Sequence, residues 1–125
     1  MRTVLESLAV AYAREVADLS RLTGISPDHV VVVGGGVRNT LLVEMTAAAC
    51  RLPVVAGAAE ASAVGSALAQ LQTLGHLGPD DGARVLAASV PTTVTEPGDV
   101  DAALHPLADL ADATTALPTD RKELI

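Results

Sequence analysis

The sequence predicts an α/β fold in which parallel strands are flanked by helices. Residues 29–40 read HVVVVGGGVRNT, a valine run that passes directly into three glycines and then into the start of a helix. A second, shorter unit of the same kind follows at residues 51–65, RLPVVAGAAEASAVG. Two successive strand–glycine–helix units are typical of α/β proteins with parallel neighbouring strands.

The first element is predicted to be an amphipathic helix over residues 3–22. Its apolar residues recur at steps of three and four, and charged residues lie on the other side. Gly24 follows as a helix-ending residue. The apolar positions are Val4, Leu5, Leu8, Ala9, Tyr12, Ala13, Val16 and Leu19.

The valine run, Val30–Val33, is predicted to be a strand. It shows no alternation of apolar and polar residues, which indicates a strand buried on both faces in the middle of a parallel sheet. The turn after it is Gly34–Gly36, and Asn39 is a suitable N-cap for a second helix. The inward positions of that helix are predicted to be Leu42, Met45, Thr46 and Ala49.

The rest of the chain continues the pattern and then becomes less regular. A second strand, Pro53–Ala56, and a turn at Gly57 lead into a third helix over residues 60–74. Residues 81–88 favour a helical turn or two, and SVPTTVTEPG favours an extended segment. Asp99 is placed to cap a last helix through Leu110, which Pro106 should kink or end.

Composition limits the domain count and the partners. The 125 residues are enough for one domain or a piece of one, and we expect residues 1–112 to be part of a domain and residues 113–125 to be a polar tail. A net charge of −7 and the lack of a basic cluster disfavour nucleic acid and anionic membranes as partners. Cys50 is the only cysteine, so no internal disulfide can form. With no apolar run long enough to span a bilayer, a soluble cytoplasmic protein is expected.

The glycines after the first strand leave two interpretations open. A glycine turn that leads into a helix exposes backbone N–H groups, which suit a phosphate or the edge of a nucleotide. The same glycines also permit a sharp turn and tight packing without any ligand. No Gly-Lys-Ser/Thr follows, and Asn39 stands where a dinucleotide-binding fingerprint has its third glycine, so neither common nucleotide motif is present.

Longer stretches of the sequence resemble a known family. VVVGGGVRNTLLVEMTAAACRLPVVAGAAEASAVGSALAQL is similar to the C-terminal domain of the FGGY family of carbohydrate kinases. The segment ESLAVAYAREVADL ahead of the glycines, NTLL after them and RKELI at the end resemble the rhamnulokinase branch of this family. The similarity covers nearly the whole chain and is strongest over residues 5–74.

The resemblance implies an actin-like, ribonuclease H-like ATPase fold with the active site between two large domains. It implies ATP and Mg²⁺ as cofactors, a ketose as the sugar substrate, and a glycine turn beside the nucleotide. Carried over by position, Gly34 makes the turn, Gly35 and Gly36 approach the nucleotide by their backbone, and Asn39 faces the adenine and ribose.

The resemblance also implies that this stretch is inactive on its own. In the family, the catalytic aspartate and the sugar site lie in parts of the chain that precede it, and its residues provide no substitute base: the three histidines, His29, His76 and His105, are scattered. Two other readings stay open. One is a non-catalytic α/β module that self-associates, as a homo-oligomer, or binds a partner protein. The other is a dinucleotide-binding domain, which the fingerprint disfavours.

Overall fold

The computed structural model describes residues 2–115 of the chain, with side chains described through residue 113. This part of the chain forms helices, short strands and three short 3-10 turns. The helices and strands are α1 Arg2–Thr23, β1 Val30–Val32, α2 Thr40–Cys50, β2 Val54–Ala56, α3 Ala61–Thr73, α4 Asp81–Ser89, β3 Thr93–Thr95 and α5 Pro106–Thr115. The 3-10 turns are Gly35–Arg38, Pro97–Asp99 and Ala102–Leu104.

The strands form one mixed sheet in the order β1-β2-β3. β1 and β2 are parallel, with Val30 opposite Val54, which confirms the predicted parallel pair. β3 is antiparallel to β2, with Val94 opposite Val55, and this corrects the expectation of parallel strands throughout. The connection from β2 to β3 contains two helices, α3 and α4, so the chain re-enters the sheet in the reverse direction.

The core surrounds α2, which packs between α1 and α5 and against one face of the sheet. The predicted inward residues of α2 are all buried, and Met45 is fully inaccessible to solvent. The buried core consists of aliphatic side chains and one methionine, so its elements approach closely over small residues. It contains Ala9, Val10, Ala13, Val43, Met45, Ala47, Ala48, Ala49, Val54, Val100, Leu104, Leu107 and Ala111.

The first strand is not buried on both faces, contrary to the prediction from the valine run. β1 is an edge strand of the described sheet, with β2 as its neighbour. Val30 and Val32 pack against the core, whereas Val31 is 56% exposed and Val33, just after the strand, is 55% exposed. Successive side chains of a strand point to opposite faces, and only one face of β1 meets the α1–α2–α5 layer.

The first helix is confirmed, but half of its predicted apolar stripe faces solvent. Ala9, Val10 and Ala13 are buried, and they lie at one side of that stripe. The exposed members include Val4 at 62% and Leu19 at 58%, together with Leu8 and Tyr12, and Leu22 at 80% and Ile25 at 70% extend the apolar surface. α1 therefore packs through Leu5, Val10 and its buried alanines, and presents several of its larger apolar side chains outward.

The last helix begins where the sequence predicted a kink. Pro106 is the first residue of α5, and Ala102–Leu104 before it is a separate 3-10 turn. The proline ring fixes φ and lacks an N–H, which suits the first turn of a helix, where that N–H has no partner. Asp101, and not Asp99, caps the preceding turn, by accepting a hydrogen bond from the Ala103 N–H at 2.9 Å.

The predicted polar tail, residues 113–125, lies mostly outside the described residues. α5 continues to Thr115, so the predicted boundary falls within this helix. None of the described helices combines the length and hydropathy that crossing a membrane requires.

Candidate functional site

Two glycine turns lie side by side at one edge of the sheet. β1 and β2 are parallel, so their carboxyl ends meet at the same edge, and each strand is followed by glycine. Gly34 has φ 84 and ψ −168, a conformation open essentially to glycine. The first turn can therefore leave the strand sharply only because this position carries no side chain.

Backbone hydrogen bonds join the two turns. The Gly34 N–H donates to the carbonyl oxygen of Ala58 at 2.8 Å, and the Gly57 N–H donates to that of Val32 at 2.9 Å. A Cβ atom at Gly57 would lie 3.3 Å from Cγ1 of Val33, so the second turn approaches the first strand closely. Both turns thus form one small, connected unit at the sheet edge.

The middle of the first turn is open to solvent. Gly35–Arg38 is a 3-10 turn in which the Val37 N–H donates to the Gly34 carbonyl oxygen at 3.2 Å. The first amides of such a turn, those of Gly35 and Gly36, have no carbonyl partner within it. A Cβ atom on Gly35 would meet no heavy atom within 4 Å. A ligand can therefore approach the backbone here.

Asn39 links the turn to α2. Its side-chain oxygen accepts a hydrogen bond from the Leu42 N–H at 3.1 Å, so it is the N-cap that the sequence predicted. The cap fixes where α2 begins and holds the end of the glycine turn against the helix. Gly34, Gly35, Gly36 and Asn39, the predicted site residues, therefore lie together in one segment.

An ion pair that sequence reasoning missed spans the two turns. The Nη2 atom of Arg38 lies 2.7 Å from the Oε1 atom of Glu60, and both side chains are exposed. Glu60 is the N-cap residue of α3, but its side chain makes no capping bond there. The sequence contains both charges but not the β1–β2 register that brings them together.

The thiol and the histidines do not form a reactive centre. Burial raises the pKa of the Cys50 thiol to about 11, which keeps it protonated and unreactive at neutral pH. His29, His76 and His105 are exposed and lie on separate segments. Over residues 2–113, no group of three or more His, Cys, Asp or Glu side chains is placed to hold a metal ion.

Two apolar grooves flank the sheet. One, of about 510 Å³, runs between α1, β1 and α2, is lined by Tyr12, Val16 and Leu19 among others, and reaches Gly36. The other, of about 350 Å³, lies between the exposed face of the sheet and the α3–α4 pair, where Val31 and Leu86 line it. Valine and leucine linings suit protein segments better than phosphate groups.

The sequence that forms the two turns also matches a known family. Residues 1–74 match the FGGY family of carbohydrate kinases, C-terminal domain. The chain belongs to this family. The matched residues contain α1, both glycine turns, α2 and α3, so the candidate site lies wholly within the family match.

A relative within the family has a named activity. The chain is 37% identical over 103 residues to a rhamnulokinase of Bacteroides thetaiotaomicron, which confirms the predicted resemblance to rhamnulokinases. The alignment covers 82% of this chain and 21% of the relative. The chain thus spans about a fifth of the length of the relative that it matches.

Proposed function

We propose that this chain is the nucleotide-side part of a rhamnulokinase-like sugar kinase. In a complete enzyme of the actin-like ATPase fold, it would bind ATP while the γ-phosphoryl group is transferred to a hydroxyl of a ketose. The observation that supports this most strongly is the pair of joined glycine turns inside the family match. The family relation supplies the kinase chemistry, and the open backbone at Gly35 supplies a place for the nucleotide.

Within this proposal, Gly34 shapes the turn, Gly35 and Gly36 present their backbone to the nucleotide, and Asn39 stands beside the adenine and ribose. The Oδ1 atom of Asn39 is engaged in the cap of α2. Its amide nitrogen is the end of the side chain left to face a ligand. Asn39 would therefore serve the helix and the nucleotide with different atoms.

The Mg²⁺ ion that such kinases use would be held by the ATP phosphates and by other parts of the enzyme. The described residues offer no cluster of carboxylates for it. Mg²⁺ bound to nucleotide-dependent enzymes commonly keeps several waters and contacts substrate phosphates, so a protein cage is not required on this side.

The chain by itself should not phosphorylate a sugar. The catalytic aspartate and the sugar site would both lie in other parts of a complete enzyme. Loss of a positioned general base typically costs ~10²–10⁴ in rate, and loss of the positioned second substrate costs more.

Nucleotide affinity should also be modest in the isolated chain. A helix or turn end contributes only ~0.3–1 kcal/mol to anion binding. Millimolar to micromolar affinity needs roughly 4–8 kcal/mol, so a second wall must supply most of the binding energy.

Equilibrium dialysis of the 125-residue chain against radiolabelled Mg·ADP tests the proposal. We expect saturable retention in the millimolar range, competed by unlabelled Mg·ADP and absent when the chain is unfolded in urea. A folded chain that retains no more ADP than the dialysis buffer at millimolar concentration would refute a nucleotide half-site in the isolated chain.

A second function is favoured by the exposed apolar surface. The α1 stripe and the edge strand β1 leave Val4, Leu19, Leu22 and Val31 more than half exposed. Exposed strand edges and contiguous apolar patches are typical protein-binding surfaces. The chain would then act as a non-catalytic module through self-association or a partner protein. Sedimentation velocity over a hundredfold concentration range distinguishes a homo-oligomer from a monomer.

A further inference from the structure

The Arg38–Glu60 ion pair does not have the properties of a stabilising contact. Its atoms meet at 2.7 Å, but the Arg38 side chain is 68% exposed and that of Glu60 is 67% exposed. Exposed ion pairs contribute little to folding stability because water screens them and both side chains lose freedom. The pair nevertheless joins the two turns of the candidate site, so we looked for its role in ligand binding at that site.

Arg38 lies on the same side of its turn as Gly35. Both belong to the 3-10 turn Gly35–Arg38, and side chains three residues apart in such a turn are eclipsed. The space beside Gly35 is open, since an added Cβ atom would meet nothing within 4 Å. The Arg38 side chain therefore flanks the space that a nucleotide would occupy, and Glu60 fixes it from across the gap.

Charge makes this arginine distinctive. The chain carries a net charge of −7, which repels a polyphosphate from most directions. Among the arginines of residues 2–113, Arg38 is the one on the two glycine turns. The others lie on α1, at the end of α2 and on α4: Arg2, Arg14, Arg21, Arg51 and Arg84.

We propose that Arg38 is a binding residue that contacts the phosphates of the bound nucleotide, and that Glu60 is its exchangeable partner. This inference rests on the proposed nucleotide function. In the free chain, Glu60 holds the guanidinium of Arg38 at 2.7 Å, between the two turns. On binding, phosphate oxygens replace the carboxylate, because a guanidinium forms charge-assisted and often bidentate hydrogen bonds with phosphate.

The test is the affinity of the 125-residue chain for Mg·ADP at low and moderate salt, followed by the NMR shifts of the Gly34, Gly35 and Gly36 amides. Arg38→Gln should weaken Mg·ADP binding about tenfold at low salt. It should also make the affinity less sensitive to salt, because fewer charges meet in the complex. Glu60→Gln should strengthen binding by roughly two- to fivefold, since the guanidinium no longer has a competing partner.

Exchanging the two charges distinguishes a phosphate contact by Arg38 from a purely structural role of the ion pair. The double variant Arg38→Glu/Glu60→Arg can rebuild the ion pair between the turns but replaces the cation on the Gly35–Arg38 turn with a carboxylate. We expect it to bind Mg·ADP as weakly as Arg38→Gln or more weakly. Recovery of wild-type affinity in the double variant would overturn the inference and assign the pair a purely structural role.

Different results would overturn nucleotide binding by the chain and the role of Arg38 in that binding. A wild-type chain that shows no saturable shifts with Mg·ADP overturns both the nucleotide function of the isolated chain and the role of Arg38. A wild-type chain that binds Mg·ADP with the same affinity and salt dependence as Arg38→Gln overturns the role of Arg38 alone.

Discussion

Gly34 donates its backbone N–H to the carbonyl oxygen of Ala58 at 2.8 Å, so the two glycine turns of the chain are bonded directly to each other. In the parallel ladder, the Val30 N–H donates to the carbonyl oxygen of Pro53, 23 residues on, whereas Ala58 lies 24 residues after Gly34. The bond between the turns is therefore shifted by one residue from the strand register, and it ties the two turns together where the regular ladder ends.

The conformation of Gly34 predicts a large difference between two neighbouring glycines. Gly34→Ala should lower the free energy of unfolding by ~1–3 kcal/mol, because φ 84 with ψ −168 strains any residue with a Cβ atom. Gly35→Ala is the matched control, since its Cβ atom would enter open space, and it should change stability by less than ~0.5 kcal/mol. Urea denaturation measures both. Equal effects of the two substitutions would show that the turn is not held in this conformation.

The cap at Asn39 predicts that stability and ligand binding can be separated. Asn39→Ala should lower the free energy of unfolding by about 1 kcal/mol, because the Leu42 N–H loses its acceptor. Asn39→Asp should stay close to wild type, since a carboxylate also caps a helix start. The aspartate variant should nonetheless bind Mg·ADP more weakly, because it lacks the amide donor and adds negative charge. An alanine variant as stable as wild type would contradict the capping role.

The sequence predicted the central part of this unit well. A valine run, three glycines and Asn39 specify a strand, a turn and a helix start through local chemistry that does not depend on distant residues. The buried positions of α2 followed from helical spacing for the same reason, and Met45 and Thr46 are both buried as expected. The four predicted site residues lie in this locally specified segment.

Features set by distant contacts were predicted less well. The valine run indicates side chains that favour burial, but it carries no information on what covers them, and Val31 lies exposed on an edge strand. The Arg38–Glu60 pair depends on the register between two strands, so neither residue alone signals it. The antiparallel strand β3 depends on the two helices before it, and its short TVT sequence does not specify a direction.

Truncation of a buried side chain and of an exposed side chain should change the free energy of unfolding by very different amounts. Met45→Ala should lower the free energy of unfolding by ~2–5 kcal/mol, because Met45 is fully buried in the core. Leu22→Ala should change it by less than ~0.5 kcal/mol, since Leu22 is 80% exposed. Thermal or urea unfolding of both variants tests the packing. A large loss for Leu22→Ala would mean that the stripe on α1 is covered in solution, as it would be in a homo-oligomer.

The raised pKa of Cys50 predicts slow thiol chemistry in the folded chain. Burial raises this pKa from 9.0 to about 11, so the thiolate fraction near pH 8 falls about a hundredfold relative to an ordinary cysteine. Iodoacetamide should therefore label the native chain about a hundred times more slowly than the urea-unfolded chain. Similar rates in the two states would contradict the burial of this thiol.

A nucleotide site at the first glycine turn is tested most directly by an amide-resolved titration of the ¹⁵N-labelled chain with Mg·ADP, performed on wild type and on Gly35→Ala. For the wild type, we expect saturable shifts confined to the amides of Gly34, Gly35, Gly36, Asn39 and the turn at Gly57. In Gly35→Ala, which should remain folded, the added methyl group occupies the open space and the shifts should be lost. Shifts of equal size in both proteins, or no shift at millimolar Mg·ADP in a folded wild-type chain, would contradict nucleotide binding at this turn.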